Sequence, residues 1–185
     1  MELYLGSLLH SDLADLHDVN TRLKKASMAF GALRDRVFSS RGAPDRLKGR
    51  LYQSSVLAVL LYGCESWCLK AEDITLLRNW HNKRIREMRR VTMCLTYVHR
   101  ITSVGVQKHT EIFSLAHYLA SCTLLWTGHI ARITKNRAPQ RPMLPWVGEP
   151  RIADGQEITY GRSPGRHLKH VGLEHADDSV LAFAE

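Results

Sequence analysis

The sequence contains no apolar run long enough to cross a membrane. Its longest such run extends from Val56 to Tyr62, whereas a membrane-spanning helix needs about 20 apolar residues. No basic segment precedes the short apolar stretch at the N-terminus, and Asp12 soon interrupts that stretch. A signal peptide is therefore not expected. These absences predict an intracellular protein, nuclear or cytoplasmic, without a membrane partner.

The four cysteines form neither a CxxC pair nor an even series of spacings. They predict reduced thiols rather than a disulfide framework. Cys64 and Cys68 share a helix face if the chain is helical there, and we interpret both as small buried thiols. The His167, His170 and His175 group has no cysteine nearby, so we interpret its members as solvated surface histidines. No metal site is predicted.

The motifs of common catalytic and nucleotide-binding sites are also missing. The chain has no Walker loop, no GxGxxG and no GxSxG sequence. Polymerase chemistry needs carboxylates that hold two metal ions, whereas the adjacent Asp177 and Asp178 would not face each other on a helix. We therefore predict no catalytic residue and no cofactor.

Basic residues are in excess, and their distribution is uneven. The 185 residues include 26 Lys and Arg against 18 Asp and Glu, which gives a formal net charge of +8. Residues 71–140 contain eleven basic and four acidic residues. One side of a helix in this region carries four basic residues, namely Lys83, Arg86, Arg89 and Arg90. They predict either contact with nucleic-acid phosphates or a solvated helix surface, and charge alone leaves both open.

Apolar residues at spacings of three and four predict an all-α fold of five or six helices. The first helix follows an Asp12 N-cap, and its apolar stripe extends from Leu16 to Val37. The others are predicted at Pro44 to Tyr62, Ala71 to Val91, Ser103 to His109 and Glu111 to Ile133. A β-strand is the alternative for the segment from Val56 to Leu61, since valine is β-branched. We favour a helix, because this segment continues a helical pattern without a turn signal.

The helix from Ala71 to Val91 has a distinct apolar face. At 100° per residue this face consists of Ile74, Leu77, His81, Ile85 and Met88. Arg84 falls among the same positions, so we expect it to meet a buried acceptor or to extend its charged end to solvent. Beyond the helices, the proline- and glycine-rich residues 134–160 predict an irregular segment, and a short helix is predicted at 165–171.

Several groups of residues resemble the region that follows the catalytic palm of non-LTR (LINE-type) retrotransposon reverse transcriptases. They are Tyr4 to Ser7 with the helix segments 22–26 and 29–33, then Lys48 with Leu51, Tyr52, Val56 and Leu60 to Trp67, then Arg84 to Arg86, and finally Leu125 to Arg132 with Arg137 to Pro139. Each group is short, and the specificity of the resemblance comes from their common order and spacing.

The resemblance implies a remnant of the primer-grip segment in residues 1–10, a helical thumb-like domain in 11–135 and an irregular C-terminal tail in 136–185. The family's thumb holds a template–primer duplex by its backbone, so the implied partner is an RNA or DNA backbone bound by the basic residues. The family's catalytic aspartate pair precedes the segment that begins at Tyr4, and no residue of this sequence corresponds to it. The resemblance thus implies a truncated, inactive fragment of an RNA-directed DNA polymerase.

A second hypothesis requires no nucleic acid. The chain is then a helical protein-interaction module, and its basic residues are merely solvated. Apolar surface that once packed on a palm domain would be exposed, and exposed apolar surface favours self-association. The first hypothesis requires basic side chains around an open surface, whereas the second requires exposed apolar side chains.

Overall fold

A computed structural model describes residues 2–4, 7–9, 15–67 and 69–132 of the chain. Near the N-terminus, strands β1 (Glu2–Tyr4) and β2 (Ser7–Leu9) form an antiparallel hairpin in which Leu3 pairs with Leu8. The other regular elements of the described chain are all helices, so the predicted all-α fold class is confirmed.

The helices form six continuous stretches within the described residues. They are built from α1 (Leu16–Leu33), α2 (Asp45–Leu51), α3 (Ala58–Leu60), α4 (Ala71–Met88), α5 (Met93–Val98), α6 (Ser103–Thr110) and α7 (Leu115–Ala131). A π-helical segment, Arg34–Phe38, extends α1, and a second one, Tyr52–Leu57, joins α2 to α3. A 3-10 turn, Cys64–Ser66, follows α3. The helix predicted from Pro44 is confirmed, and the β-strand alternative is wrong.

The end of α4, the start of α7 and the presence of α5 differ from the sequence prediction. Helix α4 stops at Met88 instead of Val91, since Arg90 lies in the left-handed region with φ 54°. Helix α5 was not predicted from the sequence, and its N-cap is Thr92, whose Oγ1 accepts a hydrogen bond from the Leu95 amide. Helix α7 begins four residues later than predicted, because Glu111 ends α6 with φ 55°.

Several predictions lie outside the described residues. They concern the Asp12 N-cap, Cys68, the irregular segment 134–160, the short helix at 165–171 and the histidines from 167 onward. Among the helices that the structure does describe, none is long and apolar enough to cross a membrane.

The described residues belong to two units. The first lies within 2–63 and 69–116, and the second within 64–67 and 117–132. An aromatic cluster forms the centre of the first unit. The Phe30 and Phe38 rings stack with centroids 4.8 Å apart, and the Tyr52 ring meets both edge-on at 6.4 Å. All three side chains are almost completely buried. Each large apolar side chain buried in this way contributes about 1.5–3 kcal/mol to folding.

Candidate nucleic-acid interface

Helix α4 organises the candidate interface by burying one face and leaving the other accessible. The predicted apolar face is confirmed, since Leu77, His81, Ile85 and Met88 are buried and Ile74 is half-buried. The helix begins with a capping box, in which the Lys70 amide donates to Asp73 Oδ2 at 3.1 Å. Burial of one face orients the basic side chains on the opposite side towards the surface.

An open surface depression lies at the C-terminal end of α4. Its volume is about 710 Å³, and its lining residues are Lys83, Arg84, Arg86, Glu87, Arg90, Val91 and Thr92. We refer to these seven residues as the basic depression. Four cations and one carboxylate give it a formal charge of +3. An open, positively charged surface attracts polyanions at a range set by the salt concentration.

The structure brings together three of the four predicted binding residues and places the fourth elsewhere. Lys83, Arg86 and Arg90 line the basic depression. Arg89 is not among its lining residues, because its Nε donates to Asp45 Oδ2 at 3.0 Å. Arg89 and Arg90 also follow the last residue of α4, so the predicted helix face is a helix end and its following turn.

Internal contacts hold Arg86 and Arg90, the two predicted arginines that line the basic depression. Arg86 Nη2 donates to Ser103 Oγ at 2.7 Å, which links α4 to α6. Arg90 Nη2 donates to the Ser39 carbonyl oxygen. A guanidinium has five N–H donors, so one such bond positions the group and leaves further donors. Lys83 is exposed.

The sequence did not indicate that Arg84 and Glu87 line the basic depression. Arg84 Nη1 donates to Glu87 Oε2 at 2.5 Å, and Arg34 Nε lies 3.6 Å from Glu87 Oε1. The Arg84 guanidinium also lies 5.2 Å from the centroid of the Phe30 ring and 5.7 Å from that of Trp80. Arg84 is thus half-buried against aromatic rings and faces an acceptor. The i,i+3 spacing of Arg84 and Glu87 could have indicated their pairing, whereas the contribution of Arg34 has no local signal.

His81 occupies a different environment from the basic residues of the same helix. Its Nε2 donates to the Phe113 carbonyl oxygen at 3.1 Å, so its Nδ1 accepts from the Tyr52 hydroxyl at 3.0 Å. The ring is completely buried, and this burial lowers the pKa of His81 to about 4. His81 is therefore a neutral core residue near pH 7, held by two hydrogen bonds.

Comparisons with known proteins add no family to this description. The chain matches no protein-family model, no curated protein and no solved structure. Within the described part of the chain, no three or more His, Cys, Asp and Glu side chains are grouped so that they could hold a metal ion. The basic depression and the sequence motifs are therefore the features of this chain that indicate a function.

Proposed function

We propose that this protein binds the sugar-phosphate backbone of a nucleic-acid duplex through the basic depression. The observation that carries the proposal is the grouping of Lys83, Arg86 and Arg90 around one open surface. The ordered motifs that resemble a reverse-transcriptase thumb support the same function. We also propose that the chain derives from such an enzyme of a non-LTR retrotransposon.

Backbone contact suits the chemistry of these residues better than base recognition. Lys83 and Arg90 have exposed side chains, and both are suited to contacting phosphates. Contact with phosphates is independent of base sequence and accounts for essentially all non-specific binding. The proposed partner is therefore a template–primer duplex of any sequence.

Polymerase activity is not included in the proposal. Nucleotide transfer by polymerases uses carboxylates that hold two metal ions. Glu87 is the one carboxylate that lines the basic depression, and it is shared by Arg34 and Arg84. Two guanidinium groups neutralise the negative charge of this carboxylate, so it is poorly suited to binding a metal ion.

Replacing Lys83 and Arg90 together by alanine should weaken duplex binding without changing the fold. Both residues are exposed, so their replacement removes phosphate contacts at little cost in packing. We expect roughly tenfold weaker binding at low salt, equally for all duplex sequences, and a salt dependence reduced by about two units of log Kd per log salt. Fluorescence anisotropy with labelled RNA–DNA duplexes of two unrelated sequences measures both quantities.

The double variant Lys24→Ala, Lys25→Ala is the matched control. Both lysines are exposed on α1 and lie outside the basic depression, and their replacement removes the same total charge. An equal loss of affinity in this control would show that net charge alone is responsible, and would contradict the proposal. The absence of binding by the unmodified protein at low salt would also contradict it.

Self-association is the second candidate function, and exposed apolar side chains favour it. On α5, Tyr97 is 90% exposed and Val98 is 67% exposed, and on α6 Val104 is 72% exposed. The candidate partner is a second copy of this chain. Contact between the exposed apolar side chains of two copies would remove them from water, which is favourable.

Changing Tyr97 and Val104 together to serine should shift the protein towards monomer if this second function is correct. We expect light scattering of the unmodified protein to give a mass that rises with concentration, and the serine variant to remain near the monomer mass of 21.1 kDa. A concentration-independent monomer mass for the unmodified protein would exclude self-association through these side chains.

A further inference from the structure

A second open surface depression lies between helices α1 and α4, within the first unit of the chain. Its volume is about 810 Å³. Trp80 lines it from α4, and the side chains that line it from α1 include Asn20, Lys24, Ser27 and Met28. We refer to it as the Trp80 depression. Met28 is 75% exposed, Lys24 is exposed and Trp80 is half-buried, so an aromatic ring and polar groups border the same open surface.

Contacts within the protein fix the position of the Trp80 ring. Its Nε1 donates to Ser27 Oγ at 3.1 Å. About one turn further along both helices, the Arg84 guanidinium lies 5.2 Å from the centroid of the Phe30 ring. The same guanidinium lies over the Trp80 ring, 5.7 Å from its centroid. The ring is therefore oriented before a ligand arrives, and a preorganised group loses little conformational entropy on binding.

The Trp80 depression and the basic depression lie along the same side of α4. Lys83 and Arg84 line the basic depression and follow Trp80 by three and four residues. Residues at these spacings project from one side of a helix. One helical turn, about 5 Å along the axis, separates them. This is a length that about two nucleotides of a strand cover. A strand that leaves the basic depression therefore reaches the indole without crossing the rest of the surface.

We propose that the Trp80 depression holds an unpaired nucleobase, stacked on the indole, from a strand that extends beyond the duplex. This inference rests on the proposed function, since the basic depression holds that duplex. An indole stacks on any base, because every base has a π-face. Lys24 provides positive charge for the phosphate beside the stacked base, and the Asn20 amide has a donor and an acceptor for the base edge. The preferred ligand is a duplex with a single-stranded extension, not a blunt duplex.

A set of ligands that share one RNA–DNA duplex tests the proposal. One ligand is blunt, another carries a single-stranded extension of about four nucleotides at each end of one strand, and the last carries the same extensions without bases. The abasic extensions keep the phosphates and remove the stacking surface. We expect the base-bearing ligand to bind roughly tenfold more tightly than the abasic ligand at low salt, as measured by fluorescence anisotropy. The Lys24→Ala, Lys25→Ala control of duplex binding uses blunt duplexes, in which no strand extends to Lys24.

Variants of Trp80 separate stacking from the other contacts of this side chain. Trp80→Leu removes the aromatic ring, so the ratio of base-bearing to abasic affinity should fall to near unity. Trp80→Phe keeps an aromatic ring and should retain most of the ratio. Both variants lose the hydrogen bond to Ser27, so the difference between them reports the ring itself. Equal ratios in the two variants would overturn stacking on this ring.

A pair of equally exposed residues provides a test that leaves Trp80 intact. Met28→Glu places a carboxylate in the Trp80 depression, where it repels the phosphates of an extended strand. We expect the gain in affinity from the base-bearing extension, relative to the blunt duplex, to fall roughly threefold. Leu125→Glu is the matched control, since Leu125 is 74% exposed and lies outside both depressions. An equal fall in both variants would indicate an effect of net charge and would contradict the proposal.

The same ligands distinguish this inference from the proposed function. Equal affinities for the blunt, base-bearing and abasic ligands would overturn the stacking site and leave duplex binding intact. A protein that binds an isolated base-bearing strand more tightly than an abasic strand, but does not bind the blunt duplex, would contradict the proposed function and support the stacking site. A lack of binding to every ligand would contradict both.

Discussion

The substitution Gly49→Ala adds only one carbon atom, the Cβ, yet it should be among the most destabilising changes of this size in the chain. We expect a loss of about 3 kcal/mol, which corresponds to a fall in melting temperature of about 6–12 °C for a protein of this size. Thermal unfolding followed by circular dichroism measures the fall. The expectation runs against helix propensity, by which alanine is favoured over glycine by about 1 kcal/mol inside a helix.

The cause is the close approach of α2 to the C-terminal end of α6. A Cβ atom on Gly49 would overlap the Thr110 carbonyl oxygen and would lie 3.1 Å from its carbon. Because these are main-chain atoms, no side-chain rotation can relieve the overlap. Two polar contacts fix the same junction, since Arg46 Nε and Gln53 Nε2 both bond to Glu111 at 2.9 Å.

Gly31→Ala is the matched control for this prediction. Gly31 also lies inside a helix, but nothing stands within 4 Å of the position its Cβ would take. Its replacement should therefore stabilise the protein slightly, by up to about 1 kcal/mol. A melting temperature of Gly49→Ala equal to or above that of the unmodified protein would contradict the close approach of α2 and α6.

The second large effect is a loss of stability in mild acid that arises from His81. The pKa of this buried histidine is about 4 in the folded protein, against an ordinary value of 6.5. A difference of this size is equivalent to about 3 kcal/mol between the two protonation states. We expect the free energy of unfolding to fall by about 2 kcal/mol between pH 7.5 and pH 5 from this residue alone.

The direction of the effect follows from which state binds the proton. Above pH 7.5 His81 is neutral in both the folded and the unfolded chain, so it contributes no pH dependence. Below pH 6.5 the unfolded chain takes up a proton that the folded chain cannot accommodate, and stability declines. The decline from this residue ends near pH 4, where the folded protein also becomes protonated.

Urea unfolding at several pH values, with His81→Gln as the test variant, measures this contribution. The glutamine side chain does not titrate, so the variant should be less stable at pH 7.5 but should lose about 2 kcal/mol less between pH 7.5 and pH 5. His99→Gln, at an exposed position, should retain the pH dependence of the unmodified protein. Equal pH dependence in His81→Gln and the unmodified protein would show that His81 is not a buried neutral group.

Helix positions were largely predictable because they depend on local periodicity. The apolar face of α4 was identified residue by residue from spacing alone, since one turn of helix repeats every 3.6 residues. The segment from Val56 was correctly predicted as helix, although valine is typical of strands. In that segment the continuous pattern and burial outweighed the weak intrinsic preference of the residues.

The composition of the candidate interface was less predictable. Its basic residues were identified from charge, but the sequence did not indicate that Arg89 would pair with Asp45 while Arg86 bonded to Ser103. These partners are distant in the sequence, and only packing brings them into contact. The predicted end of α4 was also wrong. Arg90 has a left-handed backbone conformation, which is unusual for a residue other than glycine and which the sequence did not indicate.

The sequence by itself determined the all-α fold class, the helical segments other than α5, and the concentration of positive charge near α4. These properties follow from composition and from short-range periodicity. The tertiary structure alone decided that Glu87 is shared by two arginines, that Gly49 lies against the Thr110 carbonyl and that His81 is a neutral core group. Each depends on atoms that only folding brings into contact, and no local pattern encodes such distances.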